Sequence, residues 1–378
     1  MPGEVVACRD GQALVCNSAG DNVEFVDCGY GSCAASPEPH CPYLEPQYLP
    51  DVCDEVASTP ELTISGAATM DSDLDANCTG GVIAQTGAPE ICVVRYGRIS
   101  ITPGAELKVT GSRVIAFVSD EDLRIDGVLD VSADGRVNGP GGGFIKSGGE
   151  EASVKGGGGA GFKTAGAAGG DASADGGAAN GGTKSIDPLL FAALLGGTRG
   201  NGMTDNSGGG GGGATLISCR SKVSVTGTID AGGGGGRPGF LLVAVVVGGC
   251  GGGAGGNVVL QGMNVEVTGQ LFANGGGGGA GRPAGVQSGN AGLDGSRSTG
   301  GGSGGLSQGA GDGAGGGGGG LTNAPQVGKR STDPAASAGG GGGSTGFFQA
   351  RTPSGVDAKI TPAVASPAFE PGVDVPTR

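Results

Sequence analysis

The segment Val223-Ser-Val-Thr-Gly-Thr-Ile-Asp-Ala-Gly-Gly-Gly-Gly-Gly236 decides how the chain folds. Val223, Val225, Ile229 and Ala231 alternate with polar residues, the two-residue period of a strand with one buried and one wet face. Gly227 interrupts the strand and marks a corner. The glycines after Ala231 bring no side chain to bury. Working outward, Leu123-Arg-Ile-Asp-Gly-Val-Leu-Asp-Val131 stands one hundred residues earlier, and Val265-Glu-Val-Thr-Gly-Gln-Leu-Phe-Ala273 forty-two residues later. Each copy follows a second apolar run, at Val114–Ser119, Ala214–Cys219 and Val258–Gln261, and the first two copies align without a gap. Ile99-Ser-Ile-Thr-Pro-Gly-Ala-Glu-Leu-Lys-Val109 is a looser copy, and Gly346-Phe-Phe-Gln-Ala-Arg-Thr352 opens a last one.

A unit of two short strands cannot bury its own apolar face, so the copies must stack on one another. The expected fold is all-β: a parallel β-helix (solenoid) with long Gly-rich inter-coil loops, preceded by a small disulfide-rich module. The module spans residues 1–53 and the β-helix residues 54–378, with loops over about 135–213, 232–256 and 275–345 and a Pro-containing tail. An antiparallel sandwich is disfavoured by the long connections between copies. Asp187–Gly196 reads as a short apolar helix with Pro188 in its first turn, and Phe240–Val247 as a strand buried on both faces.

Glycine supplies 91 of 378 residues and there is no Trp, so an ordinary globular enzyme throughout is excluded. Ordering a run such as Gly208–Gly213 costs roughly 1–2 kcal/mol per residue with no apolar return. The glycine tracts are therefore either disordered or held by backbone contacts in an extended polyproline-II-like state. Collagen's strict three-residue period is absent.

Ten cysteines, Cys8, Cys16, Cys28, Cys33, Cys41, Cys53, Cys78, Cys92, Cys219 and Cys250, are disulfide candidates. Their clustering in the first 53 residues points to an oxidising compartment, extracellular or at the cell surface. Pairing is not readable from spacing. A zinc site at Cys28, Cys33, His40 and Cys41 fits no ligand template. Met1-Pro-Gly-Glu lacks an export signal, which is expected upstream or trimmed, and Val5-Val-Ala-Cys8 without an apolar segment is no lipidation box. The net charge of −14 argues against nucleic acid and anionic membrane as partners. No run is long enough for a membrane span.

Catalytic motifs fail on inspection. Gly161-Phe-Lys-Thr and Gly182-Thr-Lys-Ser each insert a residue before the lysine of a phosphate loop, and Gly301-Gly-Ser-Gly-Gly305 lacks a histidine base, His40 being the only histidine. Asp126 and Asp130, or Asp130 stacked on Asp230, offer the remaining carboxylate chemistry, broken at Phe272 in the third copy. Asp120-Glu-Asp122 is a candidate calcium turn. Solvated acids at strand ends are the expectation for all of these, with no catalytic residue, no metal and no cofactor.

The head Cys28-Gly-Tyr-Gly-Ser-Cys33 with Pro39-His40-Cys41, followed by blocks such as Val223–Gly236, resembles glycine-rich secreted or surface repeat proteins of myxobacteria and related bacteria. That resemblance implies a location and a shape, not an activity. The expected function is a structural or interaction protein of the envelope or matrix, an adhesin among the options, with polysaccharide or other envelope proteins as the candidate partners. The alternatives are a carbohydrate-active β-helix enzyme and a ligand- or ice-binding module.

Overall fold

A computed structural model describes residues 5–377 apart from 18, 27, 29–32, 36–38, 55–59, 146–153, 173–180, 182–192, 203–207, 243–244 and 310. The described chain is all-β, apart from one 3-10 turn. Its head begins with an antiparallel meander of β1 (Val5–Arg9), β2 (Gln12–Cys16) and β3 (Val23–Val26), turned at Asp10 and Gly11 with positive φ.

The repeats build the body. The first tier is β4 (Glu61–Ile64) and β5 (Ala67–Asp71), which no copy in the sequence announced. The next comprises β6 (Val82–Ile83), β7 (Ile91–Tyr96), β8 (Arg98–Ile101) and β9 (Glu106–Thr110). Then come β10 (Val114–Ser119), β11 (Leu123–Ile125) and β12 (Val128–Asp130), followed by β13 (Gly213–Val225) and β14 (Thr228–Asp230). A short β15 (Phe240–Leu242) and β16 (Val245–Val247) precede β17 (Asn257–Val267) and β18 (Gln270–Phe272). The last tier is β19 (Phe347–Thr352), β20 (Lys359–Ile360) and β21 (Val364–Ser366), with β22 (Val373–Asp374) closing the edge.

The tiers stack as parallel ladders. One sheet runs β22-β19-β17-β13-β10-β7-β6, parallel except at β6, and the other runs β21-β18-β14-β12-β9-β5. Leu123 pairs with Val223 and Ile99, and Val223 with Val265, as the copies imply. The first strands differ from the gap-free alignment: Ile115, not Val114, faces Ala214, and Phe117 faces Leu216. A one-residue slip reverses the faces of a strand, and the observed register puts Phe117 and Leu216 in one core. The extra residue is absorbed where the β13–β17 register shifts, between Ser218 and Lys222.

Gly127, Gly227 and Gly269 are the corners between the two sheets. A Cβ on Gly227 would lie 2.0 Å from the carbonyl oxygen of Gly127, and one on Gly269 2.0 Å from that of Gly227. The corners thus nest tier on tier, and only glycine fits. Between the sheets, Leu107, Leu129, Ile229 and Leu271 of one meet Leu123, Val223, Val225, Val265 and Val267 of the other in a single buried cluster. Each such side chain contributes roughly 1.5–3 kcal/mol. The outer face of the first-strand ladder carries a second core, where Leu44, Leu49 and Cys53 of the head pack on Val93, Ala116, Ile217 and Val259. The end of the predicted 1–53 module is therefore built into the body, and a disulfide joins Cys53 to Cys219 on β13.

The glycine tracts among the described residues are ordered. Gly208–Gly213, Gly232–Gly236, Gly248–Gly256 and Gly339–Gly346 are buried, in segments that leave the second sheet after β12, β14 and β18 and return to β13, β17 and β19. Gly275, Gly278 and Gly281 donate N–H bonds to the carbonyls of Gly319, Gly316 and Gly313. Gly276 and Gly279 donate to Gly253 and Cys250, and Gly277 and Ala280 to Leu293 and Asn290. Every third residue faces the same neighbour, the threefold period of a polyproline-II-type chain, which satisfies its backbone only between segments. The tract through residues 249–256 bonds in this way to segments at 157–160, 198–201, 208–211, 231–237, 276–279 and 338–344. Of the two options open to polyglycine, the chain takes the ordered one.

Two local expectations change. Phe240–Val247 is not a doubly buried strand: β15 and β16 pair antiparallel, and Val245 is 50% exposed. Most of the Asp187–Gly196 helix lies outside the described residues. Its described end, from Ala193, is not helical, with Leu194 and Leu195 buried.

Candidate functional site

The six-stranded sheet sets Lys108, Asp130 and Asp230 side by side on β9, β12 and β14, with Phe272 next in line. The Asp130 and Asp230 stack inferred from the repeats is therefore present, as is its interruption. A guanidinium that the repeats did not indicate closes it. Arg297, in the glycine-rich segment after β18, donates from Nε to Asp230 at 2.7 Å and lies 3.4 Å from Asp130 and 3.2 Å from Glu106 through Nη2. Lys108 binds Asp130 at 2.9 Å. Burial raises the Asp230 carboxyl above the ordinary carboxylate value of 3.8. Its hydrogen bond from Arg297 pulls the other way, and neighbouring Asp130 adds to the rise.

Asp126 stands apart, paired with Arg124 at 3.2 Å and accepting a 2.6 Å bond from the Thr226 hydroxyl of the next tier. All three carboxylates named as candidates thus have charged partners, and Asp130 and Asp230 are buried rather than solvated. The Asp120–Asp122 turn is likewise neutralised by cations: Asp120 is buried 2.7 Å from Arg95, and Glu121 binds Arg98. No cluster of three or more metal-ligating side chains occurs among the described residues. Gly182-Thr-Lys-Ser lies outside the described residues, whereas Lys163 pairs with Glu370.

The cysteines pair as Cys8–Cys33, Cys28–Cys41, Cys53–Cys219 and Cys78–Cys92, which consumes the thiolates of the rejected zinc set. Cys16 and Cys250 stand outside these four bonds.

A separate cleft of about 450 Å³ is walled by Asp134, Arg136, Gly235, Arg237, Ala291 and Gly292 among others. Asp294 ties two of its walls together, accepting bonds from the N–H groups of Gly135 at 3.0 Å and Gly235 at 2.7 Å. The Arg237 guanidinium sits 4.3 Å from the centre of the Phe240 ring, which fixes its orientation. A smaller cavity, about 150 Å³, lies between Tyr48–Val52 and Gly80, Ile83 and Val93. Sequence reading missed Arg136, Arg237 and Arg297. Arg136 and Arg237 each directly follow a glycine, whereas Arg297 sits between Ser296 and Ser298 with no comparable signal.

The chain matches no known family, curated protein or solved structure. No helix among the described residues is long and apolar enough to cross a membrane.

Proposed function

We propose that this is a non-catalytic structural and interaction protein of the cell surface or extracellular matrix, built as a parallel β-helix that carries a polyglycine bundle. The ordered bundle carries this reading: more than a fifth of the chain is glycine, and much of it is packed backbone to backbone rather than shaped around a reacting centre. Such a body is stiff, presents few side chains and resists unfolding segment by segment, properties suited to a spacer or scaffold. Four disulfides support an oxidising location, and Cys53–Cys219 spans 166 residues to bind the head to the body. The resemblance to glycine-rich surface proteins points the same way. The carboxylates of the enzymatic alternative are engaged by Arg124, Lys108 and Arg297.

Fractionation of native cells tests the assignment. The protein is expected in the surface or secreted fraction with its disulfides formed, and recovery from the cytosol in reduced form would overturn it. A polysaccharide-cleavage assay of the wild type with Asp126→Asn and Asp130→Asn variants tests the second clause. Cleavage abolished by either change would make it an enzyme.

A further inference from the structure

We propose that the open end of the strand stack binds an extended segment of another polypeptide, adding a strand in which aliphatic and basic residues alternate. The two ends of the stack differ. At the far end the chain covers itself: Phe369 packs on Phe348 with ring centres 5.7 Å apart, the Glu370 N–H donates to the Phe348 carbonyl, and β22 follows. At the near end, among the described residues, β4 pairs only with β8 and β5 only with β9. There the Thr102 N–H donates to the Ile64 carbonyl and the Glu106 N–H to that of Gly66. Successive residues of a parallel pair turn their backbone groups to alternate sides, so those of Thr63, Ala67 and Thr69 face the open edge. Leu62, Ile64, Ala68 and Met70, packed on the core, are only partly buried. Leu74 and Ile83, at the same end, are 56% and 42% exposed. Neither edge strand carries a proline or a lysine, residues that ordinarily keep such an edge from pairing.

Charge selects the occupant. Residues 60–79 hold Glu61, Asp71, Asp73 and Asp75 and no Lys or Arg. Arg98 of the next tier lies 3.6 Å behind Glu61, so a cation on the added strand would complete an alternating column. A second copy fits poorly. Its far end is covered by Phe369, and its near end would set acid against acid in a chain of net charge −14. The added strand would take main-chain hydrogen bonds from the edge, cover the partly buried row with its aliphatic side chains and turn its basic ones outward. This names a partner class for the interaction protein proposed above and rests on that reading only for its biological setting.

The test is fluorescence anisotropy of the labelled peptide Lys-Val-Thr-Val-Lys-Val-Thr-Val-Lys with the oxidised full chain at physiological salt. Saturable binding is expected, at least about tenfold tighter than for a peptide with the valines in one block or with Glu for Lys. Thr63→Pro and Thr69→Pro each remove an outward N–H without breaking a bond to the neighbouring tier. Each is expected to weaken binding by about tenfold or more. Hydrogen exchange of the wild type needs no variant: the peptide is expected to slow the Thr63 and Thr69 amides and leave those of β18 unchanged. No binding, equal affinity for the block peptide, unchanged affinity in folded proline variants, or unslowed edge amides would each overturn the assignment. A dimer in sedimentation that Thr63→Pro dissociates would also overturn it, by giving the edge to a second copy. Cell fractionation fails or succeeds separately, so the two readings cannot fall by one result.

Discussion

Single residues show how the backbone sets the rules in this chain. A Cβ at Gly278 would lie 2.1 Å from the Gly340 carbonyl oxygen, whereas at Gly300 the nearest neighbour is 3.5 Å away. Gly278→Ala is therefore expected to destabilise by about 1–3 kcal/mol or more, and Gly300→Ala to be neutral or slightly stabilising. Paired chemical denaturation curves measure the contrast. Two carboxylates bend the pH profile in opposite senses. Buried Asp230 holds its proton more tightly folded than unfolded, so its contribution to stability falls as pH rises from 3.8 through its raised value. At Asp73, burial is outweighed by hydrogen bonds from Ser112 and Arg113 and by the Arg113 charge, so its pKa is lowered. Its contribution is present above 3.8 and lost as pH falls through the lowered value. Melting temperatures from pH 2 to 7 should show Asp230→Asn flattening the upper decline and Asp73→Asn the acid loss. Thiols give a simpler readout: maleimide should label half-buried Cys16 in the native protein and buried Cys250 only on unfolding.

At the scale of elements, the corner glycine and its two flanking strands are the repeating unit. Leu129 on β12 is fully buried between Leu107 and Ile229 of the neighbouring tiers. Leu129→Ala is expected to cost about 2–5 kcal/mol, read as a shifted denaturation midpoint with the same slope. Most of this was legible because side-chain alternation repeats with each tier. The register of the first strands was not: Val114–Ser119 is apolar on both faces, so the sequence carries no alternation to pin it. Two cores claim those faces, and their shapes choose the register. Arg297 was illegible for another reason. Its partners Asp130 and Asp230 lie 167 and 67 residues away, and nothing local marks the pairing.

For the molecule as a whole, head, stacked strands and glycine bundle are coupled. Cys53–Cys219 closes a 166-residue loop, so Cys53→Ser with Cys219→Ser should lower stability by about 2–5 kcal/mol. Hydrogen exchange should then find the amides of 249–256 protected nearly as long as those of β13 and β17, because each bonds to a neighbouring segment. Rapid exchange of that tract in the oxidised protein would show that the bundle opens independently of the strands.

By itself the sequence determined the all-β character, the parallel stacking implied by recurring strands, the corners at Gly127, Gly227 and Gly269, and the need for disulfides. These are local facts: a period of two, a residue without a Cβ, a repeated spacing. Tertiary structure alone decided whether the glycine tracts were coil or lattice, which cysteines met, and where Arg136, Arg237 and Arg297 came to rest. Polyglycine has no side-chain code, and its hydrogen bonds satisfy segments far apart in the chain, so its order exists only once many segments lie side by side.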